Sequence, residues 1–323
     1  MTGQRTYWHL EAARRVPSEY EITSSKLLYH DGGRRFEVTT PIQDWYRRFA
    51  VESPLRVSDW ERFADPRATT YTAYVERQKE RETFVDGVLR SIEESDYDGR
   101  LSPTWLATLE AILPVLRYPC HGLMMIAAYL GQLAPASRIV IVQLFQSADE
   151  TRRIQRIAQR MQQLRAVLPS FGEQSRSAWQ EGREWQPLRK VVETLLVTYD
   201  FGEAWVALNL VLKPMFDQLF TVELAKLAAH SGDPRLGQVL FSLGEDWRWH
   251  REVARDFARF VIEQRPENRA AIQGWLRHWH AQARTAFLAL APLFGELGPA
   301  VAQTLDGDCR AFWASIGVEG NPA

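Results

Sequence analysis

The chain has 323 residues, 46% hydrophobic and 24% charged, with a formal net charge of -1. These are globular values, compatible with one large domain or two ordinary ones, and the near-zero charge removes any global attraction to nucleic acid or acidic lipid. Cys120 and Cys309 lie far apart without metal spacing, the N-terminus has no apolar signal core and no apolar run is long enough to span a bilayer, so a reducing cytoplasm with no membrane partner is expected.

Residues 1–70 read as an extended, aromatic-rich arm. Prolines at 17, 41, 54 and 66 and the Gly32-Gly33 pair break long helices. Yet Trp8, Tyr20, Trp45 and Tyr46 are anchors that a disordered tail would lack. They are candidate interface residues. Two readings stay open: an arm laid on a partner, or an arm packed on its own domain. The twelve tryptophans leave the same choice between a large contact surface and a Trp-rich core. A short hairpin is expected around Lys26 to Thr39.

From residue 71 to 290 the pattern is helix after helix, with almost no strand signal. Thr70 to Glu94 is the first, ended by Asp98-Gly99. Ser102-Pro103 opens the next, with Pro at N1. Trp105 to Leu116 follows, then His121 to Leu133, apolar enough to be buried all round. A long helix is expected from Arg138 to about 167, a loop from Pro169 to Pro187, and a long apolar helix from Leu188 to Phe220 kinked at Pro214. Arg235 to Gln264 and Ala270 to Leu290 complete the set. Residues 291–323 read as a looser tail. The fold class is all-α with long central helices.

The stretch Gln146–Arg165 bears most on function. Ile154, Ile157, Ala158, Met161 and Leu164 keep helical spacing. Glu150 and Arg153 share a face. A carboxylate there with histidine three residues on would be half of a di-iron site in a helix bundle, but the third residue is arginine. None of the seven histidines has Asp or Glu three residues before it. His-Glu-x-x-His, phosphate-binding glycine loops and Gly-x-Ser-x-Gly are absent. Cys120-His121 are adjacent and face apart on a helix, so they make no nucleophile dyad. The arginines at 152, 153, 156, 160 and 165 are expected to be a salt-bridged or solvated face rather than a nucleic-acid surface.

Several segments resemble the hydroxylase β subunits of bacterial multicomponent soluble di-iron monooxygenases of the toluene, alkene and isoprene type. They are Pro17-Ser18-Glu19-Tyr20-Glu21-Ile22, Pro41-Ile42-Gln43-Asp44-Trp45-Tyr46, Phe63-Ala64-Asp65-Pro66, the run Phe201 to Met215 through Gly202-Glu203-Ala204-Trp205, and Ala271 to Trp275. The resemblance implies a ferritin-like bundle over 71–290 and a non-catalytic scaffold role, with the di-iron centre in a catalytic α subunit and no cofactor in this chain. It also implies an (αβγ)₂ hydroxylase served by an effector protein, a Rieske-type ferredoxin and an NADH-fed flavin reductase. Set against the family's ligand pattern, the six positions fall on Cys120, Glu150, Arg153, Glu203, Trp247 and His250. Neither Glu-x-x-His pair survives. The bundle is then expected to bring Glu150, Arg153, Glu203 and His250 towards one interior, with Arg153 neutralising Glu150 or Glu203, unless Arg153 points to solvent.

Overall fold

The computed structural model describes Tyr20 and residues 41–318, and among these it is all-α. Trp8 and the expected hairpin at 26–39 lie outside the described residues. Helix α1 runs through Pro41–Tyr46 and continues with wider turns through Arg47–Val51. Then come α2 (Tyr71–Glu94), α3 (Pro103–Ile112), α4 (Arg117–Leu133), α5 (Ser137–Leu164), α6 (Ser175–Glu181) and α7 (Gln186–Leu196). Helix α8 covers 201–230, α9 Pro234–Gln264, α10 Asn268–Leu290 and α11 Gly298–Ser315.

Local chemistry places the starts. The Thr70 hydroxyl accepts from Ala73 N, Ser102 from Trp105 N, Asp200 from Glu203 N and Asp233 from Leu236 N. Each satisfies a donor that the first helical turn leaves free. The Asp200 cap explains one departure from expectation: the helix expected from Leu188 to Phe220 is two, α7 and α8, separated at 197–200. The expected loop 169–187 contains the short α6 and the start of α7.

Pro214 is buried inside α8 and does not end it. Proline has no N–H and crowds the carbonyl four residues back. The helix widens to π turns just before it, at Ala207–Leu212, and again at Gln218–Glu223. The carbonyl four residues back is that of Leu210, and it accepts instead from Trp313 Nε1 at 2.7 Å. Trp313 lies on α11, which also buries Val301, Leu305, Cys309 and Phe312. The expected loose tail is therefore a packed helix as far as Ser315, held by the bond that α8 lost.

Four long helices form the centre. Helices α4 and α5 pack along one another, as do α8 and α9, and α5 meets α9 across the middle. Helix α2 covers α9 and α5, while α7 and α10 flank α4 and α8. Helices α4 and α7 approach closely at Gly122, where a Cβ would stand 2.3 Å from a Val192 methyl. The apolar stretches Pro103–Leu133 and Asn268–Ser315 are interrupted, the first by a turn at 113–116 and the second by a tighter 3-10 segment at 291–297 kinked at Gly295, and contribute core residues such as Leu109, Leu123 and Phe287.

The described part of the arm from Ser53 onwards packs on its own domain. Leu55 and Phe63 are buried, and Trp60 stacks on Phe257 of α9 at 5.9 Å. Asp65 ties the segment down by accepting from Trp249 Nε1, Thr69 N and Arg67 N. Tyr20 is buried too, with its hydroxyl accepting from Asp65 N and Arg138 over its ring. It serves this chain's interior and corrects the expectation of an interface anchor. Trp45 is 38% exposed, and its indole donates to Tyr129 Oη while its ring meets Tyr199 at 4.8 Å. Tyr46 is half-buried against the core.

Candidate functional site

Where α5 faces α8, four charged side chains close a ring. Lys213 Nζ donates to Glu150 Oε1 at 2.5 Å and to Asp217 Oδ2 at 2.8 Å. Arg153 pairs with Asp217 at 2.7 Å and with Glu150 at 3.4 Å. These last two are ion pairs without hydrogen-bond alignment, which leaves Glu150 Oε2 and Asp217 Oδ1 buried with no aligned donor. All four side chains are at least 92% buried. The ring carries two positive and two negative charges, so its net charge is zero. Burial opposes the charge on Arg153, but Glu150 and Asp217 outweigh it and hold the guanidinium firmly protonated. Lys213 is likewise raised against burial by Asp217 and Glu150. Burial would raise Asp217, but Lys213 and Arg153 hold it below the ordinary range. Cys120 on α4 feels the same four charges, and burial pushes its thiol up to about 12.

A second network lies one residue along α5, on its α9 and α2 side. Asp149 Oδ2 meets His250 Nε2 at 2.8 Å, while Tyr74 Oη and Gln78 Nε2 donate to Asp149 Oδ1 at 2.6 and 2.8 Å. Gln78 also donates to Asp246, which pairs with Arg152 at 2.6 Å and with Arg81. Burial raises Asp149 to about 7. Burial, then Lys213, lowers His250 to about 3. Neutral His250 thus donates from Nε2, and its Nδ1 is buried without a partner. The arginine run continues as a salt-bridged face: Arg156 meets Glu82 and Asp86, and Arg160 holds Asp98 through two 2.6 Å bonds.

Of the six positions the resemblance suggested, Cys120, Glu150, Arg153 and His250 surround this interior. Trp247 lies one turn before His250 on α9, buried, with Arg251 over its ring. Glu203 is the correction. It sits in the first turn of α8 and accepts from Trp279 Nε1 at 3.0 Å. At about 1.5 Å per residue it is roughly 15 Å along the axis from Lys213. The α8 residue that faces Glu150 is Lys213, and the second carboxylate that Arg153 neutralises is Asp217. Sequence reasoning passed over both. A signal was present: Lys213 and Asp217 are four apart within the mostly apolar run Ala204–Phe220, where unpaired charges are too costly to bury.

A pair of iron ions does not fit this donor set. Among the described residues no group of His, Cys, Asp and Glu has metal-binding geometry. An ammonium and a guanidinium already occupy the carboxylates that iron would need, and neither can be a ligand at neutral pH.

The family model for methane/phenol/alkene hydroxylases matches residues 45–265. The β subunit of the toluene-4-monooxygenase hydroxylase component from Ectopseudomonas mendocina is 33% identical over 92% of both chains. The small subunit of the propane 2-monooxygenase hydroxylase component from Mycolicibacterium smegmatis is 28% identical over 80% of this chain and 73% of its own. A structure of toluene 4-monooxygenase with toluene bound superposes with a TM-score of 0.85 at 31% identity, covering 92% of this chain and 99% of the other. Phenol hydroxylase from Pseudomonas sp. OX1 gives 0.90 at 19% identity over 100% and 98%, which speaks to the fold alone. The helical bundle is that of the ferritin-like di-iron hydroxylases. The chain belongs to the methane/phenol/alkene hydroxylase family, as a hydroxylase β subunit of a multicomponent monooxygenase.

Proposed function

We propose that this chain is the non-catalytic scaffold of its hydroxylase, holding a catalytic α subunit that carries the di-iron centre. The observation that carries the reading is the Glu150–Lys213–Asp217–Arg153 ring, which fills the middle of the bundle with paired charge. Similarity to the toluene-4-monooxygenase β subunit supports an NADH-driven system that inserts oxygen from O₂ into an aromatic or alkene substrate bound in α. The assembly is read as (αβγ)₂, cytoplasmic, with an effector protein and a Rieske-type ferredoxin and reductase. Trp45, half-exposed beside Tyr199, and Trp8 remain the arm's candidate contacts with α.

Co-expression with the α and γ chains, followed by separation and metal analysis, tests this. Iron is expected with α and none with this chain, and turnover is expected only from the reassembled complex. Stoichiometric iron in the separated chain would overturn it.

A further inference from the structure

The charged ring does more than cancel itself. Lys213 Nζ bridges one carboxylate from α5 and one from α8, at 2.5 and 2.8 Å, as a bound cation would. Arg153 touches the remaining oxygen of each, without aligned bonds. Glu150 Oε2 and Asp217 Oδ1 have only the Arg153 guanidinium against them, and His250 Nδ1 is buried without a partner. The Cys120 sulfur lies within the field of the same four charges and is fully buried. Carboxylate, imidazole and thiol are thus gathered from all four central helices around two cations tethered to the chain. Their oxygen, nitrogen and sulfur donors are of the types a divalent transition metal takes, although no three of them stand in metal-binding geometry while the two cations are in place.

We propose that this interior is a cation site filled by the chain's own side chains: Lys213 and Arg153 occupy it and exclude divalent transition metal, and exchanging them for ligands opens it. The inference rests on the reading of the chain as a metal-free scaffold, but concerns what keeps it metal-free. Removing the ammonium leaves two carboxylates facing one another with a single remaining countercharge. Like charges at that range repel, so any available divalent cation gains affinity there. Arg153→His would in addition place an imidazole three residues after Glu150, the helical spacing that aims both at one ion.

The test uses the assembled hydroxylase with K213E/R153H in this chain, with Co²⁺ as the probe after removal of all metal. The double variant is expected to retain Co²⁺ through gel filtration, to show Co²⁺ d–d bands that disappear in the K213E/R153H/E150Q form, and to melt higher as Co²⁺ is raised. The bands and Co²⁺-dependent melting of the unaltered hydroxylase belong to the emptied α iron site and set the baseline, and none of those bands is expected to depend on Glu150. K213M is the second variant, with one cation removed and no ligand added. Its melting is expected to rise with Co²⁺ by more than that of the unaltered hydroxylase. A folded K213E/R153H hydroxylase without Co²⁺ bands beyond that baseline overturns the proposal, as does an unaltered one whose Co²⁺ bands are lost on E150Q. If K213E/R153H does not assemble, an unresponsive K213M overturns it, and failure of both to fold with Co²⁺ present counts the same way. An unresponsive variant with the unaltered chain still iron-free would leave the scaffold reading standing.

Discussion

Arg153→Met removes one positive charge from a ring whose net charge is zero and leaves Glu150 and Asp217 to share Lys213. Arg153 is 8% exposed and both carboxylates are less so, which leaves water little chance to replace the lost partner. Removing one side of such a buried pair costs about 3–5 kcal/mol. At about 2 °C per kcal/mol for a chain of this size, melting falls by about 6–10 °C. The apolar methionine roughly preserves the stem that packs over Phe216, with the guanidinium 5.7 Å from that ring, so most of the loss is charge imbalance. Asp217→Asn in the same chain removes the matching negative charge. The Glu150–Lys213 pair then stands alone in balance, and the two substitutions should couple by about 1–3 kcal/mol. Calorimetric melting of the assembled hydroxylase carrying the two single variants and the double reads this directly. Losses that simply add would refute the balanced-ring account, and an unchanged melt for Arg153→Met would mean the guanidinium is not paired at all.

Three further outcomes follow from other contacts. Asp149, raised to about 7, gains stability for the fold as pH falls towards its ordinary 3.8, while His250, lowered to about 3, loses it as pH falls below 6.5, so the pair is nearly pH-neutral between those limits. Asp149→Asn keeps only the His250 side: stability should drop by about 1.4 kcal/mol per pH unit below 6.5, and a denaturant series parallel to the unaltered chain's would contradict it. Trp313→Phe leaves the Leu210 carbonyl without the donor that stands in for the amide Pro214 lacks, at a cost of about 1–3 kcal/mol, and faster hydrogen exchange along α11 should accompany the loss. Gly122→Ala drives a methyl into Val192 and should cost about 1–3 kcal/mol, with Val192→Ala restoring most of it; a harmless Gly122→Ala would show that α4 and α7 can separate freely.

Local chemistry was legible where it is short-ranged. Thr70, Ser102-Pro103 and Asp233-Pro234 announce helix starts because a cap needs only the next three residues. The helix expected from Leu188 to Phe220 failed on the same ground from the other side. Asp200 is a cap, but the apolar runs on either side of it read as one helix. Pro214 could be read only as a kink, since the carbonyl it frees is satisfied by Trp313, about a hundred residues on. Tyr20 shows the limit for the arm: an aromatic among prolines fits an interface or an interior equally, and only the Asp65 amide on its hydroxyl decides.

The site divides along the same line. The spacing of Glu150 and Arg153 fixes that they share a face, and the resemblance placed Cys120 and His250 near them. Glu203 fits the ligand pattern on α8 by residue type alone, as the carboxylate of the Phe-Gly-Glu-Ala segment. The position is defined by which face of α8 meets α5, and there the chain carries Lys213. A bundle whose interior carboxylates hold no metal must neutralise them in some other way. A cation is therefore the better guide to such a position than another acid. Lys213 and Arg153 meet that requirement from different helices. Each also serves the partner of the other, through Glu150 and Asp217. On the scaffold reading proposed above, exclusion of metal and integrity of the core have one physical cause, and a chain that lost either cation would be expected to take up metal or lose stability.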